Sequence, residues 1–197
     1  MLSWTSGFKS AAMITACSSV LLAAVPAGWF LAGSRPADYD CSIDPVESLD
    51  GHPVTYLKSK PGIQSSGFGT LMQSFDAGEY VGKRVRFSAA VRSDGIDPYG
   101  TAWAGLWMRV DGELDKATGH HKTLAFDNMH DGGVNRSIIG ATPYQNYVVV
   151  LDVPKGATGI SFGILLHGSG AVWLGGVKFE VVGREVPTTN GRNPQAY

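Results

Sequence analysis

The sequence predicts an all-β protein, an antiparallel sandwich or barrel preceded by an apolar N-terminal segment. Three observations predict it. Short runs alternating apolar and polar residues recur from Phe68 onward. Turn signals separate them: Ser93-Asp-Gly95, Asp97-Pro98, Asp111-Gly112, Asp131-Gly-Gly133, Pro154-Lys-Gly156 and Gly168-Ser-Gly170. No stretch holds a helical period over three turns, so strands joined by short turns are the consistent reading. Composition agrees: 26 glycines and only 17% charged residues among 197 suit strands and turns better than long surface helices. That length fits one domain with extensions, and a 44% hydrophobic content is ample for a core. A net charge of −1 offers no field for nucleic acid, and no nucleic-acid partner is expected.

From the N-terminus, Lys9 precedes an apolar run from Ala11 to Gly33. The run is long enough to cross a bilayer and also fits a long signal peptide. Small residues at Val25-Pro-Ala27 and Ala32-Gly-Ser34 offer two cleavage points. Residues 1–34 are therefore read as a signal peptide or membrane anchor, which makes the domain secreted, extracytoplasmic or membrane-attached. Cys17 lies inside this run, leaving Cys41 alone in the domain without a disulfide framework. Ile14-Thr-Ala-Cys17 has the outline of a lipoprotein box, but the apolar stretch before it is too short.

Residues 35–64, rich in Pro, Ser, Asp and Gly, read as a linker or lead-in with one strand at Val54–Leu57. The sandwich is expected over residues 65–183. Its strands are Phe68–Phe75, Val85–Val91, Trp103–Val110, Leu124–Met129, Tyr147–Val153, Ile160–Leu166 and Val172–Val182. Same-face members Val85, Phe87, Leu106, Met108, Phe162, Ile164, Val177 and Phe179 are the expected core. The polar tail, residues 184–197, is expected to be disordered.

Within the strand Trp103–Val110, Ala104, Leu106, Met108 and Val110 share one face and Trp103, Gly105, Trp107 and Arg109 the other. Two tryptophans, a glycine gap and an arginine make a surface suited to stacking a ring and holding a planar polar group. The plain alternative is that the tryptophans pack beneath a loop. Asp127 and Asn128 follow on a strand of apolar residues, where a carboxylate needs a partner, and Arg109 is the expected one. His167 ends a strand whose Ser161 and Gly163 leave room above the sheet. His120, His121 and His130 lack the spacing of a zinc site and read as loop histidines. Asn135-Arg-Ser137 is a glycosylation sequon. No nucleophile elbow, phosphate loop, dinucleotide fingerprint or metalloprotease helix occurs, and no cofactor is expected.

Several segments together carry a resemblance. Gly67-Phe-Gly-Thr70, Gly82-Lys-Arg-Val-Arg-Phe-Ser88, Ala104-Gly-Leu-Trp-Met-Arg-Val-Asp-Gly112 and Leu124-Ala-Phe-Asp-Asn-Met129 are joined by Tyr147 through Pro154, Ile160-Ser-Phe-Gly-Ile164 and Val172-Trp173 to Glu180. Residues 65–183 thus resemble a bacterial jelly-roll module of galactose-binding or carbohydrate-binding-module type. Such modules occur alone and appended to peptidases and helix-turn-helix regulators. The resemblance implies a non-catalytic binding domain with a saccharide as ligand. Relatives of this type commonly carry an acidic pair after the last-strand Trp, often at a structural calcium. Here Trp173-Leu-Gly-Gly-Val177 supplies no side-chain oxygens, so no metal is expected.

The sequence-based expectation is a module that binds a glycan or small ligand on a concave sheet face. Trp103 and Trp107 would stack the ring, while Arg109, Asp127, Asn128 and His167 orient it. The alternative is a small jelly-roll lyase, isomerase or cyclase acting on a hydrophobic molecule, with Asp127 or His167 moving the proton.

Overall fold

Alternation assigns every strand an inner and an outer face, and the inner faces meet in one core. The structure, a computed structural model, describes residues 25–131 and 134–190. Its strands are β1 (Phe30–Gly33), β2 (Tyr39–Leu49), β3 (His52–Ser59), β4 (Phe68–Asp76) and β5 (Arg84–Ile96). They continue with β6 (Trp103–Asp115), β7 (His120–Asp127), β8 (Gly140–Asp152), β9 (Gly159–His167) and β10 (Ala171–Val182). Two five-stranded antiparallel sheets result, ordered β1-β4-β9-β6-β7 and β2-β3-β10-β5-β8. The fold is an all-β jelly-roll sandwich.

The core lies where the sheets face each other. Val85, Phe87, Leu106, Met108, Phe162 and Ile164 are buried there, each contributing about 1.5–3 kcal/mol by leaving water. Aromatic rings fill the layer: Phe162 packs against Phe87, Trp29 and Phe179 at centroid distances of 4.7, 5.9 and 5.0 Å.

Four expectations need correction. Val177 is 40% exposed, and Phe179 is only partly buried against the core. The reason is a bulge: between Gly175 and Lys178, three steps of β10 run against two of β5, from Ala90 to Ser88. One extra residue reverses the phase, so Leu174 points inward before the bulge and Phe179 after it. Gly176 sits at φ +60° within the bulge, and a Cβ on Gly175 would lie 3.0 Å from Leu49 and Val54 side-chain carbons. The glycines therefore serve backbone shape and close packing.

Residues 35–64 are not a linker. They form β2 and β3, and Tyr39 is a fully buried staple whose single hydroxyl hydrogen is shared between the carbonyls of Gly67 and Gly168, 3.0 and 2.9 Å away. The short alternation around Asp44-Pro45 hides β2 from a periodicity reading. The end of the predicted apolar segment is also strand: β1 pairs with β4 from Phe30↔Met72 to Gly33↔Gly69. Residues 1–24, including Cys17 and most of that segment, lie outside the described residues. Among the described residues, no helix is long and apolar enough to cross a membrane.

The first part of the tail is docked. Arg84, almost fully buried, holds Asp152 through Nε and Nη2 at 2.8 and 2.9 Å, and its Nη1 donates to the carbonyls of Arg184 and Val186. Thr189 then bonds both backbone groups of Val150, covering the β8 edge. Residues 191–197 lie outside the described residues. Removing one member of a buried, hydrogen-bonded ion pair costs about 3–5 kcal/mol. Arg84→Ala should therefore lower the unfolding free energy from urea melts by up to that amount, Asp152 being partly exposed, and should open the tail to limited proteolysis.

Candidate ligand pocket

Strand β6 outruns its neighbour β7, and this mismatch builds the pocket. The β6–β7 pairing begins only at Met108↔Asp127, so residues 103–107 of β6 have no β7 partner on that side. The β7–β8 connection takes their place. Ala104 and Ile138 exchange both backbone hydrogen bonds, at 2.9 and 2.8 Å, and the Leu106 N–H donates to Met129 Sδ at 3.2 Å. The connection crosses β6 at Gly105, where a Cβ would lie 2.8 Å from the Asn128 carbonyl oxygen. Only glycine permits that approach.

Three polar groups pin the connection. Asp127, 2% exposed, accepts from the Met129 N–H at 2.8 Å and from Arg136 Nη2 at 2.6 Å. Arg136 also donates to the Val148 carbonyl, and its own N–H bonds the Met129 carbonyl. Asn128 Oδ1 accepts the N–H groups of His130 and Asp131, while its Nδ2 donates to Asp131. Met129 between them takes φ +65°, a left-handed conformation that this network holds.

The pinned connection closes one side of a cavity of about 630 Å³ at the Trp103 end of the sheet. Trp103 forms its wall, with His130 stacked on it at 4.3 Å and 8°. His167, register partner of Trp103, lies nearly parallel at 6.1 Å. Thr101, Asn135 and Ser137 supply further polar groups, and Pro98, Ala102 and Ile139 apolar ones. His130 Nδ1 contacts Ser137 Oγ at 2.9 Å, and His167 Nδ1 contacts the Thr101 carbonyl at 3.2 Å.

The six residues singled out in the sequence do not converge. Trp103 and His167 line the pocket. Trp107 is 7% exposed: its indole reaches across β9, over its register partner Gly163, and donates to Thr70 Oγ1 on β4 at 2.7 Å. Arg109 is half-exposed and pairs with Asp111, its Nε 2.8 and 3.0 Å from the two carboxylate oxygens. The expected Arg109–Asp127 pair is therefore replaced by Arg109–Asp111 and Arg136–Asp127. Asp127 and Asn128 lie beneath the connection and outside the pocket lining. His120 and His121 belong to β7, where His121 Nδ1 contacts the Gly112 carbonyl. Among the described residues, no three His, Cys, Asp or Glu side chains converge on one point.

Sequence reasoning missed His130 and Asn135 as pocket residues. The readable signal was the sequon itself, since Asn135, Arg136 and Ser137 all serve the connection. It also missed a cluster on the outer face of the other sheet. There Trp173 donates to Asp44 Oδ2 at 2.8 Å, with Lys58 and Arg92 over its ring at 4.5 and 4.2 Å. Tyr144 lies nearby, burial pushing its hydroxyl pKa up to about 12. Asp44 is held down at about 2, chiefly by the Glu47 N–H and further by Trp173, Val46 and Lys58.

No family model matches the chain. Three solved structures show the likeness of the fold. A candidate sugar-binding protein from Bacteroides thetaiotaomicron VPI-5482 superposes with a TM-score of 0.55 at 11% identity, covering 81% of this chain and 90% of that one. The C-terminal family 22 carbohydrate-binding module of Clostridium thermocellum Xyn10B gives 0.50 at 10% identity, over 81% and 89%. The N-terminal CBM22-1–GH10 modules of the same xylanase, complexed with xylohexaose, give 0.50 at 18% identity, over 83% and 28%. The fold is the one these modules share. In sequence, the chain is 41% identical over 167 residues to an uncharacterised HTH-type transcriptional regulator, YbfP, of Bacillus subtilis (strain 168). The match takes in 85% of this chain and 52% of the regulator, so the chain spans about half the regulator's length.

Two outcomes follow from the supports. Trp107→Ala should cost about 3–5 kcal/mol in urea melts, the range for truncating a buried aromatic. Arg136→Ala should cost a similar amount by leaving the Asp127 carboxylate buried and unpaired. A loss below about 1 kcal/mol in either would mean that the outer face is solvated there.

The Asp44 cluster gives a pH signature. A folded pKa below the ordinary 3.8 adds stability above that value, lost as the pH falls through about 2. The thermal midpoint should drop between about pH 4 and 2, and Asp44→Asn should flatten that drop.

Proposed function

We propose that this domain binds carbohydrate without transforming it, taking a sugar ring in the pocket beside Trp103. The observation that carries the proposal is an aromatic wall in an open cavity of about 630 Å³ ringed by imidazole, amide and hydroxyl groups. Sugar rings pair an apolar C–H face with directional hydroxyls, which is the complement of such a lining. The fold shared with carbohydrate-binding modules supports the same reading.

The enzymatic alternative needs a proton carrier in the cleft. Asp127 is held by Arg136 and the Met129 N–H outside the lining, so of the two expected proton carriers only His167 stands in the pocket, with no carboxylate among the lining residues to act as its partner. Binding alone is the reading we adopt.

Export or membrane attachment through the apolar N-terminal segment belongs to the same proposal. Cleavage near Ala27 would retain β1, whereas cleavage after Ser34 would remove the strand paired with β4. The earlier point is the one compatible with an intact sandwich. N-terminal sequencing of the protein recovered from its host checks this.

A saccharide array probed with the full chain, followed by calorimetry on the best binder, tests the site. Trp103→Ala should weaken binding at least about tenfold, as for an aromatic hot spot, with little change in melting temperature. Binding unchanged in that variant, or no saccharide bound at all, would overturn the proposal.

A further inference from the structure

The hydrogen bonds already made inside the pocket fix what its remaining groups offer. His167 Nδ1 faces the Thr101 carbonyl oxygen, which has no proton to give, so Nδ1 carries the hydrogen. The neutral ring then presents Nε2 as an acceptor. Asn135 Oδ1 is taken by the Ser137 N–H at 2.9 Å, which leaves its Nδ2 as a donor. Ser137 Oγ is in turn engaged by His130 Nδ1. Beside Trp103 the pocket thus offers His167 Nε2 from β9 as an acceptor and Asn135 Nδ2 from the β7–β8 connection as a donor, alongside the Thr101 hydroxyl and His130 Nε2.

No lysine, arginine, aspartate or glutamate is among the lining residues. The charged side chains close by are committed elsewhere. Asp97 accepts the Tyr99 N–H, Asp131 is bound by Asn128, and Arg136 holds Asp127. Beyond β4, Arg35 faces Asp38.

Resting on the saccharide reading above, we infer that the pocket selects an uncharged sugar over an acidic one. One sugar hydroxyl donates to His167 Nε2, and a second accepts from Asn135 Nδ2. His167 is the specificity-determining residue. A uronate carboxylate placed there would face the Nε2 lone pair of the neutral ring with no lysine or arginine in the lining to neutralise it, and leaving such a group unsatisfied is penalised.

The test is calorimetry of the full chain against matched pairs: oligosaccharides of glucose and of galactose beside the corresponding uronates. We expect the wild-type protein to favour the neutral member at least about fivefold, the low end for one unsatisfied group. His167→Lys should reverse the order, since it replaces the acceptor with a cation. Asn135→Asp, which replaces the donor with an acceptor, should weaken the neutral sugar. Melting curves on both variants confirm that they are folded, and a folded His167→Lys that keeps the neutral preference overturns the inference. Trp103-dependent binding that favours uronates overturns it while leaving the saccharide reading intact. No binding to either class removes both.

Discussion

The pocket depends on one buried carboxylate. Asp127 lies beneath the β7–β8 connection with almost no access to water, where an unpaired charge is expensive. Arg136 and the Met129 N–H satisfy it from within that connection. The pair thus closes a loop of chain onto itself, and Arg136 extends the hold to β8 through the Val148 carbonyl. His130, Asn135 and Ser137 lie on the segment fixed in this way. Their placement beside Trp103 follows from an ion pair that touches no ligand.

The same connection solves a problem of sheet edges. A β6 strand longer than its β7 partner would leave backbone donors and acceptors unpaired, a cost in stability and an invitation to association. Ile138 and Met129 cap those groups, and Gly105 lets the chain come close enough to do so. Stability and site are therefore built by one segment. The outer face of this sheet is not a free platform. Trp107 fills it over Gly163, and the connection covers Gly105.

Much of the sandwich was legible because a period of two is a strong signal where one face is apolar throughout. Strands β4 to β10 were visible in this way, and so was the inward set Leu106, Met108, Phe162 and Ile164. Val177 was misplaced because a bulge adds one residue without breaking the apolar pattern on either side. Strands β1 and β2 were hidden for different reasons. Phe30–Gly33 sits inside a run whose hydrophobicity reads as membrane-spanning, and β2 carries a proline and three acidic residues in an edge position. Edge strands face water along one side, so their composition resembles that of a loop.

The site was only half legible, and the reason concerns residue type. Trp and Arg favour binding sites because they combine surface area with directed hydrogen bonds, and Asp and Asn add directed hydrogen bonds of their own. The same properties suit them to anchoring a loop over a sheet. Trp107 gives its N–H to Thr70, Asp127 and Asn128 bond the backbone of the turn that follows them, and Arg109 is closed by Asp111. What separates support from recognition is whether those hydrogen bonds are already used within the chain. By that criterion Trp103 and His167 differ from the other four. One walls a cavity with its ring, and the other keeps an unshared nitrogen once its first is committed to Thr101.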